Sequence, residues 1–519
     1  MEDESRDLKG RTAKGAVWMM LEQTCTQGLN FTLGIILAHL LSPTDYGVVA
    51  LVLIFISIGQ VLVSSGLGQA LIQKKTVDDL DFTMVFYLSL AISAVLYAIL
   101  FFAAPAVAAF FKNDQLCLIL RILSFNLVFF AINSVQSAEL YRAMRFDVSF
   151  WISLVTTLTS FVASVALALG GFGVWALVWS TSLAAFSGVV ARWFLIRWKP
   201  RLAFDLSRLK PLYRFGWKMM LSSLVGMCLN NLYGVLIGRL YSPADLAFVN
   251  KGRNLPDLLK TNLSTVFTQS AFPALSRMQD ERDRMREALR RLMSVNVFII
   301  FPSTMLMFVI ARDLVLLLYG RPWTPCVVYL QVLCVGAALA SMEGLSGLSA
   351  LARGKSGLVL KVSVVRTILS LAILFVFLPR GILDWSLASV AVYGPVSLAL
   401  DVWMGRRMVG YRCRMVAADV LPTVLLFGAV CVPVWAVKLV LPGEALGEIF
   451  ARLSVQVALA GALFLSGAVL FRLRAVREVS SFVSPKIESR FPAWGRVRAY
   501  LEAGSTSGSC IDTLRRNMV

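Results

Sequence analysis

A single histidine, His39, occurs in 519 residues. One imidazole cannot build a His-rich zinc centre or a relay that needs a second histidine. At the end of the first apolar stretch its expected role is packing. The eight cysteines (Cys25, Cys117, Cys228, Cys326, Cys334, Cys413, Cys431 and Cys510) include no Cys-x-x-Cys pair. Most lie in apolar segments, where a thiol acts as a small core group. No metal and no cofactor is expected. Charged residues are scarce too, at 15% against about 25% in ordinary globular domains. Nucleotide motifs fail on inspection. Gly354-Lys355-Ser356 imitates the end of a phosphate-binding loop, but the first glycine it requires falls on Ser349, and no strand precedes it. Asp79-Leu80-Asp81 imitates the Asp-x-Asp of sugar-nucleotide enzymes, yet it opens an apolar span, where helix capping accounts for it.

What is present is hydrocarbon. The chain is 58% hydrophobic with a mean hydropathy of +0.74. Apolar runs long enough to cross a bilayer recur throughout. They give fourteen spans: 15–40, 45–72, 81–109, 116–137, 148–169, 173–193, 214–240, 245–273, 292–311, 325–352, 358–378, 385–405, 420–440 and 450–471. The first contains Glu22, Gln23 and Gln27 and is expected to stay in the mature protein, not to be cleaved as a signal peptide.

The net charge of +20 does not point to nucleic acid, because the basic residues sit in short loops between spans. One alternate set of loops carries 21 Lys or Arg and the other 4. Positive-inside logic puts the basic set and both termini on the cytoplasmic side. No outer loop exceeds 13 residues, which leaves no room for an external catalytic domain.

The sequence also repeats itself. Residues 19–49 align without a gap on 219–249, with 11 of 31 positions identical, against about 3 by chance for so apolar a composition. The matches include Asn30/Asn230 and the junctions Ser42-Pro43-x-Asp45 and Ser242-Pro243-x-Asp245. Ser caps a helix, Pro suits its first turn and Asp favours the positive end of its dipole. Both junctions fall on the outer side, so the copies run in the same direction. The expected architecture is an all-α polytopic membrane protein with two six-helix lobes in parallel repeat. Residues 1–193 form the N-terminal lobe, 194–213 a basic connector and 214–405 the C-terminal lobe. Residues 406–471 add two spans, and 472–519 form a basic, flexible cytoplasmic tail.

Two constellations can carry function. At steps of four, span one presents Glu22, Thr26, Asn30, Gly34 and Ala38, and span seven presents Ser222, Gly226, Asn230, Gly234 and Gly238. Such ladders either pack helices tightly or, through Glu22, Asn30, Asn230 and Asn231, line a wet cavity. Span eight carries Lys251, Arg253, Asp257 and Lys260. Arg253 and Lys260 are seven apart and share a face; Asp257 can pair with either. Cations at membrane depth either snorkel and pair or face an anion, here a phosphate or diphosphate headgroup. Lys218 is a further candidate for that headgroup; Arg142, Lys361 and Arg366 have weaker claims. Glu343 and Asp401 are acidic residues in spans whose roles the sequence leaves open.

Several motifs taken in order carry a family resemblance. They are Leu41-Ser42-Pro43-Thr44-Asp45-Tyr46-Gly47, Gly66-Leu67-Gly68-Gln69-Ala70, Gly173-Val174-Trp175-Ala176-Leu177-Val178, Arg214-Phe215-Gly216-Trp217-Lys218-Met219, Phe272-Pro273-Ala274-Leu275-Ser276-Arg277 and Leu318-Tyr319-Gly320-Arg321-Pro322-Trp323. Over roughly residues 8–410 the chain resembles Wzx-type flippases of the multidrug/oligosaccharidyl-lipid/polysaccharide superfamily, in particular the colanic-acid-exporter-like subgroup. The resemblance implies two lobes around a cavity that opens alternately to each side. It also implies transfer of an undecaprenyl-diphosphate-linked oligosaccharide between leaflets, with a polysaccharide polymerase and glycosyltransferases as candidate partners. Family members often carry an acid just after the span-seven Asn; Asn231 stands there in this chain. A drug/cation antiporter of the same superfamily is the first rival, kept open by Glu22. A polymerase or ligase is the second, and a scaffold without transport the third.

Overall fold

The computed structural model describes residues 2–482 apart from 65, 69–70, 72–73, 75–76, 197, 202–204 and 206–208. It contains helices and no strand among the described residues. In chain order they are α1 (Glu2–Leu40), α2 (Pro43–Ser64), α3 (Asp79–Phe111), α4 (Gln115–Ser124), α5 (Asn126–Arg142), α6 (Phe146–Leu169), α7 (Val174–Leu195), α8 (Leu209–Leu240) and α9 (Pro243–Arg277). They continue with α10 (Arg282–Leu318), α11 (Cys326–Ala340), α12 (Leu345–Ala352), α13 (Ser356–Phe377), α14 (Ile382–Ala388), α15 (Gly394–Val409), α16 (Cys413–Val440), α17 (Leu446–Leu470) and α18 (Arg474–Phe482). Backbone amides have no water partner in hydrocarbon, so long continuous helices are what these apolar runs must form.

Each of the fourteen expected spans falls on a helix or a broken helix pair, except that the second, 45–72, outruns α2 at Ser64 and its end lies partly outside the described residues. Twelve helical stretches among the described residues are long and apolar enough to cross a membrane. The other two, α1 and α9, have the length, at 39 and 35 residues, but are too polar to qualify. The apolarity criterion therefore supports twelve spans rather than fourteen. The polar content of α1 and α9 is also what made them candidate functional helices.

Three spans are interrupted. α4 and α5 meet at Phe125, whose amide turns back to the Ile122 carbonyl. α11 and α12 are separated by 341–344, and α14 and α15 by a π-helical turn, Ser389–Tyr393. Many large apolar side chains point outward, for example Phe102, Phe194 and Leu439. In a membrane protein these meet lipid.

The chain divides into two compact units, residues 1–248 with 318–322, and residues 249–317 with 323–519. In the first unit α1 lies along α6 and α6 along α7. Its core includes Leu67, Leu71, Phe82, Val135, Ile152 and Trp198. Both Ser-Pro-x-Asp junctions belong to this unit. At the first, the Ser42 amide and hydroxyl donate to Asp45 Oδ2 at 3.0 and 2.6 Å, and the Asp45 amide donates back at 3.2 Å. At the second the same three bonds, Ser242 with Asp245, are 3.1, 2.6 and 3.2 Å. Each is a reciprocal cap with Pro at the first helical position.

α2 crosses α8 and the start of α9 at backbone distance. A Cβ on residue 47 would sit 1.8 Å from the Pro243 carbonyl oxygen, and one on residue 238 would sit 2.2 Å from a Leu51 methyl carbon. At the other end of α2, Gly66 has φ +65 and lies against the Gly216 backbone, a conformation and a closeness that both demand glycine.

In the second unit α10 is tied to the trailing helices α16–α18 at two places. Near one end the buried Asp313 receives both sides of the Arg452 guanidinium at 3.0 and 2.7 Å. Arg452 also caps the Leu441 and Gly443 carbonyls at 2.6 and 2.9 Å. Near the other end the buried Asp419 receives Arg290 at 2.9 and 2.7 Å, Tyr411 at 2.9 Å and Arg474 at 3.2 Å. Burial and the adjacent Asp419 carboxylate push the Tyr411 phenol well up, so it remains a donor. The expected loose tail therefore begins with an ordered helix, because Arg474 on α18 binds Asp419 and Glu287. The rest of that tail, 483–519, lies outside the described residues.

Candidate functional site

On α1 and α8 the two ladders divide by position. Gly234 and Gly238 on α8 are buried against Ile54 and Leu51 of α2, and Ala38 on α1 is 1% exposed. Those steps are close helix packing. The polar steps differ. Asn30 and Asn230 are exposed and Asn231 is half-buried, its Nδ2 donating to the Met227 carbonyl of its own helix at 2.9 Å. A Cβ on residue 226 would meet nothing within 4 Å. Glu22 is half-buried and accepts hydrogen bonds from Ser153 at 2.5 Å and Ser149 at 3.3 Å on α6. Lys218 is exposed.

Across the same unit lies a polar cluster that sequence reading passed over. Arg192 on α7 donates to Asn133 Oδ1 at 3.1 Å and to the Ser137 hydroxyl at 3.5 Å on α5. Glu22 is the acid whose charge acts on it. An arginine at this depth needs such partners. Its sequence signal was a lone cation in the last turn of a span, the position where snorkelling is the ordinary reading.

In the second unit, the charged residues of α9 are not equivalent. Lys251 is buried, with Nζ 5.4 Å from the centre of the Trp323 ring and Cys326 beside it. Next to it Gly252 lies against the Tyr329–Leu330 backbone. Arg253 pairs with Asp257, Nε to Oδ2, at 2.8 Å, both half-exposed. Between the two partners open to Asp257, the structure selects Arg253. Lys260 is half-buried and is one of two cations acting on Glu343, the other being Arg366.

The interruption between α11 and α12 explains one open acid. Asp401 on α15 accepts from the Gly344 and Ser346 amides at 3.0 and 3.2 Å, and Arg366 on α13 approaches it at 3.5 Å. It caps the positive end of the half-helix α12. Glu343 sits one residue before that end, so a carboxylate, two cations and a helix terminus converge at membrane depth. Half-helix termini of this kind bind substrates and ions in transporters.

A family model described as polysaccharide biosynthesis protein matches residues 36–328, more than half of the chain and inclusive of both junctions and all of α9. The chain belongs to this family of polysaccharide biosynthesis proteins. Among relatives, the lipopolysaccharide biosynthesis protein WzxC of Escherichia coli (strain K12) is 24% identical over 387 residues, spanning 73% of this chain and 76% of its own. The succinoglycan biosynthesis transport protein ExoT of Rhizobium meliloti (strain 1021) is 26% identical over 306 residues, 59% of this chain and 62% of its own. Among solved structures, the lipid II flippase MurJ in an inward closed conformation superposes with a TM-score of 0.68 at 12% identity, over 88% of this chain and 98% of that one. That likeness shows a common fold. This polysaccharide biosynthesis protein is thus an all-α, multi-pass membrane protein.

Proposed function

We propose that the chain is a flippase. It carries an undecaprenyl-diphosphate-linked oligosaccharide repeat unit from the cytoplasmic to the outer leaflet of the bacterial inner membrane, by alternating access between lobes 1–193 and 214–405. Both termini are cytoplasmic, and the lipid-linked unit is made by glycosyltransferases and consumed by a polymerase. The chain acts as a transporter, with no covalent step of its own. Membership of the polysaccharide biosynthesis family, with a lipopolysaccharide biosynthesis protein and a succinoglycan transport protein among the relatives, supports this reading. The observation that carries the substrate class is α9, where Lys251, Arg253 and Lys260 fall within ten residues of one helix of spanning length, in the copy whose counterpart, α2, is apolar.

In this reading Arg253, Lys260, Lys251 and Lys218 attract and hold the diphosphate, and Glu22, Asn30, Asn230 and Asn231 meet the sugars. Arg253 enters the cycle already paired with Asp257, so diphosphate binding exchanges one anion for another and avoids baring a cation. The prenyl chain stays in lipid. Moving a dianionic headgroup across the field makes the membrane potential a bias on the cycle, at about 2.3 kcal/mol per charge per 100 mV.

Deleting the gene tests the proposal. The expected result is accumulation of a lipid-linked repeat unit in the cytoplasmic leaflet and loss of the polymer. Unchanged lipid pools with altered drug tolerance would replace this reading with the antiporter.

A further inference from the structure

The first unit contains a groove that the transport reading does not use. It lies between α3, α4, α5 and α7 and encloses about 600 Å³, well within the size of a small-ligand site. One wall is a run of rings. Phe101 and Tyr97 are 5.9 Å apart, Tyr97 and Phe125 5.6 Å, Phe125 and Phe129 5.2 Å, and Phe129 and Phe186 5.8 Å. These are the tilted and edge-on spacings that aromatic pairs prefer. Phe125, Trp179 and Phe186 are each more than two-fifths exposed, so in a bilayer the groove is open to lipid.

Hydrocarbon alone does not suit it. Arg121 lines the groove, its guanidinium carbon 4.4 Å above the Phe101 ring and its Nε donating to the Phe101 carbonyl at 3.3 Å. Asn126, only 7% exposed, lines it too, and its carboxamide oxygen has no hydrogen-bond partner among the described residues. The Ser182 hydroxyl on the opposite wall is in the same condition. The break at Phe125 is what turns Asn126 into the groove floor. A buried polar atom left dry is unfavourable, and an apolar chain would leave both of these dry. Arg121 lies six residues beyond the first residue of α4, about 9 Å along the helix. From there a long side chain reaches a lipid's phosphate and ester level.

We propose that this groove binds one anionic glycerophospholipid of the bilayer. Its phosphate meets Arg121, an ester carbonyl accepts from the Ser182 hydroxyl, a water at the ester level donates to Asn126, and an acyl chain runs along the aromatic wall. Among the described lining residues the charge is of one sign, which selects an anion. Bulk phospholipid surrounds the groove at far higher concentration than any lipid-linked sugar, so mass action fills the site with it. The inference does not depend on the transport reading.

Bilayer discs of phosphatidylcholine doped with phosphatidylglycerol carrying a photoreactive group in its acyl chain provide the test. Cross-links should map to 97–129 and 179–186. They should fall about tenfold in Arg121→Gln, the loss expected for one charge-assisted contact, and persist in Arg121→Lys. Ser182→Leu, which fills the groove without touching Arg121, should lower them as well. Equal labelling of the same peptides by a phosphatidylcholine probe would overturn the proposal, reducing the groove to an ordinary lipid-facing crevice. So would labelling displaced by a polyprenyl phosphate but not by excess phosphatidylglycerol. If Arg121→Gln does not fold, wild-type labelling in a folded Ser182→Leu variant would overturn it equally.

Discussion

The two Ser-Pro-x-Asp junctions agree within about a tenth of an ångström in all three capping bonds, yet two turns later the helices they start diverge. After Val49 α2 continues Ala-Leu-Val-Leu; after Val249 α9 continues Asn-Lys-Gly-Arg. The boundary between the compact units falls at Phe248 and Val249, just where the echo stops. The contrast separates two kinds of information. A cap needs four residues and closes its bonds within them, so it survives duplication unchanged. The face of the helix beyond it answers to whatever it meets, and that differs between the copies.

Making the second copy resemble the first is the strongest way to break this contrast. Lys251→Leu, Arg253→Leu and Lys260→Gln together place on α9 the residues that α2 carries at 51, 53 and 60. Polymer export in a deletion strain should fall by roughly tenfold or more, equal to at least about 1.4 kcal/mol in the transport barrier, while the protein still reaches the membrane. Wild-type export by this variant would end the headgroup assignment. Next in size is the crossing. Gly47→Ala drives a methyl into the Pro243 carbonyl and should cost about 3 kcal/mol of stability. The mirror change, Ala247→Gly at the aligned position, should cost only about 1 kcal/mol, both read from thermal unfolding in detergent.

The junctions themselves should respond alike. Asp45→Ala and Asp245→Ala each remove the same bonds, and each should lose about 1 kcal/mol; unequal losses would mean that the caps are not interchangeable. The smallest stability effect belongs to Asn30→Leu and Asn230→Leu. Both side chains are exposed, so thermal stability should move by less than about 0.5 kcal/mol while export slows. If export is also unchanged, the two asparagines do not touch sugar.

Much of the architecture was legible because it is written locally. Span lengths follow from apolar runs, and the caps follow from four-residue signals. The pairing of Arg253 with Asp257 follows from a spacing of four, although the sequence kept Lys260 as an equal candidate. What stayed hidden depends on partners far away in the chain. Asp401 reads as an isolated acid until the break at Gly344 brings two amides to it. Asp313 and Asp419 look like ordinary end-of-span acids, and their arginines come from as far as 139 residues away. Arg192 was missed because its partners Asn133 and Ser137 lie on another helix. The groove at Arg121 needs four helices and a mid-span break, and no single-segment pattern encodes that.

The crossing of α2 with α8 also sets a schedule for the newborn chain. Leu51 finds Gly238 only after 187 further residues have been made, an interval of roughly 10–40 s at ordinary ribosomal speeds. Through that interval the bare face of α2 must wait in the membrane with lipid, or an insertion chaperone, in the place α8 will take. Slowing synthesis between the two segments should therefore lengthen the time during which a cysteine placed at residue 51 can be cross-linked to the insertion machinery.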